Sequence, residues 1–252
     1  VKYKIIDGYI NANAKNGLVG AKIKFPKISV GATENLMIAA CLAKGQTVLS
    51  NCAIEPEIKD LSNFLCSIGA KIVWTGRRQV KIVGVKTFKQ SNYKIMFDRI
   101  EAGTMLIAGA INQGNLKITG IESSILKTEI DLLKKIGAKI NQKKNEITIK
   151  GNKKIKNINI KTSPFPGVAT DIQAQLMVLL CKANKRSTIK EDIFENRFQS
   201  VPELKRMNAK IEVKGNQAII EGNTIFKGAQ VMATDLRASA SLVLAALCAK
   251  GK

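Results

Sequence analysis

Four stretches of small and apolar residues recur along the chain with almost no charge inside them: residues 36–43, 105–111, 176–181 and 238–249. A helix that is apolar nearly all round must be buried on most of its sides. Each stretch follows a hydroxyl or acidic residue suited to helix capping: Thr33-Glu34, Asp98, Thr170-Asp171 and Thr234-Asp235. In Asp98-x-x-Glu101 and Thr170-x-x-Gln173 the residue three positions on can complete a capping box. Short strands follow at 47–49, 116–118 and 187–189. More amphipathic helices come next at 56–68, 125–136 and 201–207, with one polar face each. Gly69, Gly137 and Asn208 supply a left-handed exit from these helices. Alternating residues such as 71–74 with 80–83, or 210–213 with 217–220, then read as hairpins.

These elements form a repeat. Ile68-Gly-Ala-Lys-Ile72 recurs as Ile136-Gly-Ala-Lys-Ile140 and, weakened, as Met207-Asn-Ala-Lys-Ile211. Gly69 and Gly137 are 68 residues apart, and Gly137 and Asn208 are 71 apart. The acids at 34, 98, 171 and 235 keep step, at intervals of 64, 73 and 64. A period of this size indicates one supersecondary unit used several times. The expected fold class is α/β, each unit setting a buried helix and a surface helix against a small sheet. The fourth unit stops after its first helix, and residues 1–26 read as strands of an earlier unit. Some buried-type helices are therefore expected to lack neighbours, as in a piece of a longer protein.

Composition narrows the chemistry. No histidine is present, so His-based triads, bases and metal ligands are excluded. The five cysteines contain no C-x-x-C pair, which fits a reducing, cytoplasmic setting. The start lacks the apolar core of a secretory leader, and no apolar run is long enough to span a bilayer. Net charge is +22, but 34 of the 41 basic residues are lysine, spread along the chain without aromatic interleaving. That argues for compositional bias and against a nucleic-acid surface.

Seven ordered blocks carry a resemblance: Lys27-Ile-Ser-Val-Gly-Ala-Thr-Glu34, Glu55-Pro-Glu-Ile-Lys-Asp60, Asp98-Arg-Ile-Glu-Ala-Gly-Thr104, Pro166-Gly-Val-Ala-Thr-Asp-Ile-Gln-Ala-Gln175, Phe194-Glu-Asn-Arg-Phe198, Val201-Pro-Glu-Leu204 and Gln230-Val-Met-Ala-Thr-Asp-Leu-Arg-Ala-Ser-Ala240. Together they make the chain resemble the UDP-N-acetylglucosamine 1-carboxyvinyltransferases, of the enolpyruvyl transferase type, over essentially its whole length. The resemblance implies an inside-out α/β barrel in two domains with a cleft between them. It implies that residues 1–97 are the C-terminal part of the first, catalytic-loop domain, and that 98–252 are most of the second. It implies transfer of the enolpyruvyl group of phosphoenolpyruvate to the 3′-hydroxyl of UDP-N-acetylglucosamine, with release of phosphate. That reaction opens peptidoglycan precursor synthesis and uses no metal or organic cofactor. The family's general acid, a Cys or Asp on a mobile loop, would lie outside this chain, so the chain alone is expected to be inactive. The resemblance implies no nucleic-acid, membrane or obligate protein partner. Weighed beside it are a non-catalytic UDP-sugar-binding module and the related transferase that acts on shikimate 3-phosphate.

The candidate residues follow. The resemblance places Asp171 at the sugar hydroxyl as proton acceptor; alternatively it only complements a helix dipole. Lys27, Ser29, Val30 and Gly31 resemble the nucleotide-binding segment, ahead of a helix N-terminus whose free amides favour a diphosphate. Ile193 matches a position that touches the nucleotide, or it is core. Arg197 and Arg237 suit bidentate recognition of phosphate or carboxylate, or they are structural ion-pair residues. Arg99 and Glu101 stand at the domain crossing. Cys41, Cys181 and Cys248 lie in apolar runs and read as inert core thiols.

Overall fold

The computed structural model describes residues 1–251, which form two compact units that divide between Met96 and Phe97. In the first, β1 (Lys2–Ile6) and β2 (Tyr9–Asn13) make an antiparallel hairpin closed by Asp7 and Gly8, both at positive φ, the geometry of a tight hairpin turn. One full repeat follows: β3 (Lys22–Lys24), α1 (Val30–Ala40), β4 (Gln46–Ser50), α2 (Pro56–Ser67), β5 (Lys71–Gly76) and β6 (Gln79–Val83). The strand order is β3-β4-β6-β5, with β3 and β4 parallel and the other pairs antiparallel. The parallel pair requires a crossover, and α1 is that crossover. Val80 and Ile82 alternate inward from β6 onto Met37, Leu49, Ile58 and Leu65.

The second unit contains α3 (Arg99–Ile111), β7 (Asn115–Thr119), a 3₁₀ turn (Ser123–Leu126) running into α4 (Lys127–Ile136), β8 (Lys139–Lys143) and β9 (Glu146–Lys150), with strand order β7-β9-β8. Next come β10 (Asn159–Lys161), a 3₁₀ turn (Thr170–Ile172) leading into α5 (Gln173–Cys181), β11 (Ser187–Lys190), α6 (Val201–Arg206), β12 (Ile211–Lys214) and β13 (Gln217–Ile220). Their order, β10-β11-β13-β12, reproduces that of the first unit's sheet, parallel pair included. Helix α7 (Leu236–Leu247) begins a further repeat. Three isolated parallel bridges, Val19 with Lys44, Ile155 with Ala183 and Lys227 with Lys250, recur at matching places in the period.

All nine residues of α5 are buried, and the helix packs between α3 and α7. The three run the same way. Gln175 Nε2 of α5 donates to Thr104 Oγ1 of α3 at 3.1 Å, and Ile172 lies against Gly103, near both helix starts. Arg237, in the first turn of α7, meets Asp171. Their amino ends therefore gather on one side of the unit. Helices α1 and α7 keep exposed apolar faces, in keeping with the expectation that some buried-type helices lack neighbours. Ile38 of α1 and Val243 and Leu247 of α7 are exposed: α1 packs chiefly on α2, β4 and β6, and α7 chiefly on α5, with α3 and α6.

The exits behave as expected: Gly69, Gly137 and Asn208 all have positive φ. The entrances differ. Ser29, not Thr33, caps α1, while the Thr33 hydroxyl donates to the Ser29 carbonyl and accepts from Ala53 N–H. Asp98 and Asp235 are N-caps, each accepting from two backbone amides. The box expected at Thr170 and Gln173 does not form. The chain takes a 3₁₀ turn there, and the Thr170 hydroxyl is drawn to Glu191. Among the described residues no helix is long and apolar enough to cross a membrane.

Candidate functional site

Three residues far apart in sequence meet in the second unit. Asp171 Oδ1 accepts hydrogen bonds from Arg197 Nη2 and from Arg237 Nε, the latter at 3.3 Å. The 3₁₀ turn places Asp171 ahead of α5, where its side chain caps nothing and remains 40% exposed. Arg197 comes from the loop after β11 and follows Asn196, whose positive φ turns the chain. Its side chain is 17% exposed, with the guanidinium 4.9 Å from the Phe194 ring centre, within cation–π range. Arg237 is held by the capped start of α7, where its own N–H donates to Asp235 Oδ1 at 2.7 Å. Two guanidinium groups against one carboxylate leave a local excess of positive charge. The cluster can therefore fix a carboxylate in a set direction beside an anionic ligand.

Glu191 supports this arrangement from beneath. It is 4% exposed and directly follows β11. Its Oε1 accepts from Thr162 Oγ1, Ile193 N–H and Phe194 N–H at 2.8–3.0 Å, and its Oε2 accepts from Thr170 Oγ1 at 2.9 Å. Ile193 and Phe194 are 43% and 56% exposed. Ile193 is thus a surface residue above the Glu191 brace, not core. Asp192 is held by Lys161 and Lys190; the Lys161 hydrogen bond, and then the two charges, keep its carboxyl below the usual carboxylate range.

Ser29 caps α1, accepting from Ala32 N–H at 3.3 Å. Lys27, Ser29 and Gly31 are exposed and Val30 is half-buried. A Cβ added at Gly31 would meet nothing within 4 Å, so the entrance to α1 is open. Arg99, a substrate-binding candidate by the resemblance, opens α3. It is buried, its Nη1 lies 4.0 Å from Glu129 Oε1, and its guanidinium stands over the Phe165 ring. A guanidinium removed from water needs such a partner. The thiols are poor acids. Burial pushes Cys41 up to about 11 and Cys181 up to about 12, and it raises Cys248 as well.

Sequence reasoning missed Glu191 and Thr162, and it read Thr170 as a cap and not as a partner of Glu191. An acid directly after a strand ordinarily reads as a solvated loop residue. The available signal was that Glu191 stands three positions before the Phe194-Glu-Asn-Arg block in a chain with few acids.

Comparison with known proteins bears on what such a cluster serves. The profile of the EPSP synthase (3-phosphoshikimate 1-carboxyvinyltransferase) family matches residues 1–252. The UDP-N-acetylglucosamine 1-carboxyvinyltransferase of Pelagibacter ubique is 70% identical over all 252 residues, which are 60% of that protein. The protein of the same name from Rickettsia felis is 47% identical over 99% of this chain and 59% of its own length. The chain thus spans about 60% of these curated relatives. Among solved structures, the enolpyruvyl transferase NikO from Streptomyces tendae superposes with a TM-score of 0.86 at 25% identity, over 98% of this chain and 62% of that one. The EPSP synthase of Acinetobacter baumannii does so with a TM-score of 0.70 at 19% identity, over 93% of this chain and 57% of that one. The second likeness concerns fold alone.

Proposed function

Because this chain belongs to the EPSP synthase (3-phosphoshikimate 1-carboxyvinyltransferase) family, we propose that it is the part of a UDP-N-acetylglucosamine 1-carboxyvinyltransferase that holds the sugar hydroxyl and the anionic groups around it. The observation that carries this reading is the Asp171 carboxylate fixed between Arg197 and Arg237. The sugar 3′-oxygen adds to C2 of phosphoenolpyruvate, Asp171 takes the hydroxyl proton, and the C3 methylene gains a proton to become a methyl group. Loss of a C3 proton and departure of phosphate then restore the double bond. Arg197 and Arg237 orient the carboxylate and offset phosphate or carboxylate charge on the donor. General-base catalysis of this kind contributes about 10²–10⁴-fold.

Lys27, Ser29, Val30 and Gly31 would receive the nucleotide, with the diphosphate at the open start of α1. Residues 1–97 would close the domain that carries the catalytic loop, and 98–252 would form most of the other. The raised thiols of Cys41 and Cys181 argue that the general acid is not among them. The relatives' name supports the UDP-sugar acceptor, and with it cytoplasmic peptidoglycan synthesis.

The test is a chimera in which this chain replaces the matching stretch of the Pelagibacter ubique relative. Phosphate release from phosphoenolpyruvate should require UDP-N-acetylglucosamine and not proceed with shikimate 3-phosphate. Asp171→Asn should lower kcat by about 10²-fold or more. Turnover with shikimate 3-phosphate alone, or an Asp171→Asn chimera with undiminished kcat, would overturn the reading.

A further inference from the structure

We propose that Glu191 is a positioning residue for the Asp171 cluster, a buried brace that ties the segment bearing the carboxylate to the loop bearing Arg197. The proposal rests on the functional reading above for its purpose, but its geometry stands apart from that reading.

The brace has two arms. Oε2 accepts from Thr170, the residue immediately before Asp171. Oε1 accepts from the backbone amides of Ile193 and Phe194, the start of the loop that carries Arg197. The third donor on Oε1, Thr162, also accepts from Asp192 N–H, so the end of β10 is joined to the end of β11. Its hydrogen bonds go to neither Asp171 nor the arginines. It fixes the two backbone segments whose side chains then meet. Phe194 is set by the same carboxylate and in turn stacks on Arg197, giving the loop a second hold on the guanidinium.

The alternative is that Glu191 only satisfies buried donors. The two differ in what happens to Arg197. Glu191→Gln keeps Oε1 and its three donors. Its amide faces Thr170, whose hydroxyl can turn to accept, so the geometry survives without the charge. Glu191→Ala removes both arms and strands two backbone amides. Thr170→Val removes only the arm to the Asp171 segment and preserves side-chain shape.

The measurement is the ¹⁵N side-chain spectrum of the 252-residue chain, in which Arg197 is one of seven arginines. In the parent chain the Arg197 guanidinium should rotate slowly about Nε–Cζ, and Asp171→Asn should abolish that slow rotation. The rotation rate should rise about tenfold in Glu191→Ala and about threefold in Thr170→Val, and stay within about twofold in Glu191→Gln. If Glu191→Ala fails to fold by its backbone amide spectrum, Thr170→Val decides. Unchanged rotation in Thr170→Val, equal acceleration in folded Glu191→Gln, or insensitivity to Asp171→Asn would overturn the proposal. None of these results depends on turnover. An inactive chimera with a rigid, Glu191-dependent Arg197 would therefore sink the functional reading alone.

Discussion

Gly84 and Gly31 should respond to the same substitution with opposite signs. Gly84 follows β6 and passes the exit of α1. A Cβ there would lie 1.7 Å from the Ala43 carbonyl oxygen and 2.8 Å from its carbon. An ordinary carbon–oxygen contact is about 3.3 Å, so the strand end must retreat by about 1.5 Å. That retreat strains two backbone hydrogen bonds, Gly84 N–H to Gly45 O at 2.9 Å and Val85 N–H to Cys41 O at 2.8 Å. Overpacking costs about 1–3 kcal/mol and a strained buried hydrogen bond about 1 kcal/mol. Gly84→Ala should therefore destabilise the first unit by about 3–5 kcal/mol. Gly31 lies in the first turn of α1 with nothing within reach of a Cβ, so Gly31→Ala should stabilise it by up to about 1 kcal/mol through helix propensity. The single Trp, Trp74, sits on β5 opposite Val80 of β6, so its fluorescence reports on this unit. In urea, with a slope of about 1.5 kcal/mol per M, the Gly84→Ala midpoint should fall by about 2–3 M, and the Gly31→Ala midpoint should rise slightly. A Gly84→Ala midpoint within about 0.3 M of the parent, or a Gly31→Ala loss of similar size, would refute the close-approach argument.

Other outcomes follow from burial and charge. Glu34 is raised above its ordinary value by burial and by Glu57 and Glu55. Its charged form therefore weighs against folding at neutral pH and not below the unfolded carboxyl value. Glu34→Gln should stabilise the first unit at pH 7, and the gain should vanish as pH falls below about 4.5; a gain independent of pH would count against this origin. Cys66 is the exposed thiol. A thiol reagent at pH 7.5 should show one fast phase that Cys66→Ser removes, with Cys41 and Cys181 silent until the chain unfolds. Glu129 is buried against Arg99, so Glu129→Ala should cost the second unit about 3–5 kcal/mol in urea melts followed by circular dichroism. Arg186→Ala breaks an exposed pair with Glu221 and should cost under about 1 kcal/mol; equal losses would show that burial is not what matters.

The repeat was legible because burial imposes a period. Amphipathic helices and left-handed exits came within a residue or two of their places, and each apolar stretch fell on a helix whose start lies two to six residues earlier. The first strand of each repeat was not legible. β3 and β10 are three residues long, and β10 has a single buried side chain, Ile160, too short a run to display alternation. Nor did the sequence reveal the glycines at 84, 151 and 222. Each stands after a last strand, against the carbonyl at the exit of a first helix: Ala43, Ala110 and Ala183. Their 67- and 71-residue spacing matches the period, but a contact between backbones leaves no mark in hydrophobicity. The site was half legible. Resemblance singled out Asp171, Arg197 and Arg237 one at a time. That they form one cluster depends on contacts across 26 and 66 residues, and no local pattern encodes those.

The four acids that keep step along the chain do different work, and the difference explains how a duplicated position acquires chemistry. Asp98 and Asp235 are each occupied by two backbone amides. In each, Oδ1 takes both amides, which ties the carboxylate's direction to the helix. Glu34 lies a turn inside α1, because Ser29 has taken the capping role. Asp171 alone stands at a helix start that nothing caps: the chain enters α5 through a 3₁₀ turn, and the neighbouring threonine, which could have served, is held by Glu191. Drawing Thr170 away costs the helix a cap worth about 1 kcal/mol. In return it leaves a carboxylate with no backbone obligation at the gathered amino ends of three helices, where two arginines can set its direction. On this argument the brace and the bare carboxylate are one device. Restoring a cap at Thr170 by removing Glu191 would strengthen the start of α5 and weaken the site together.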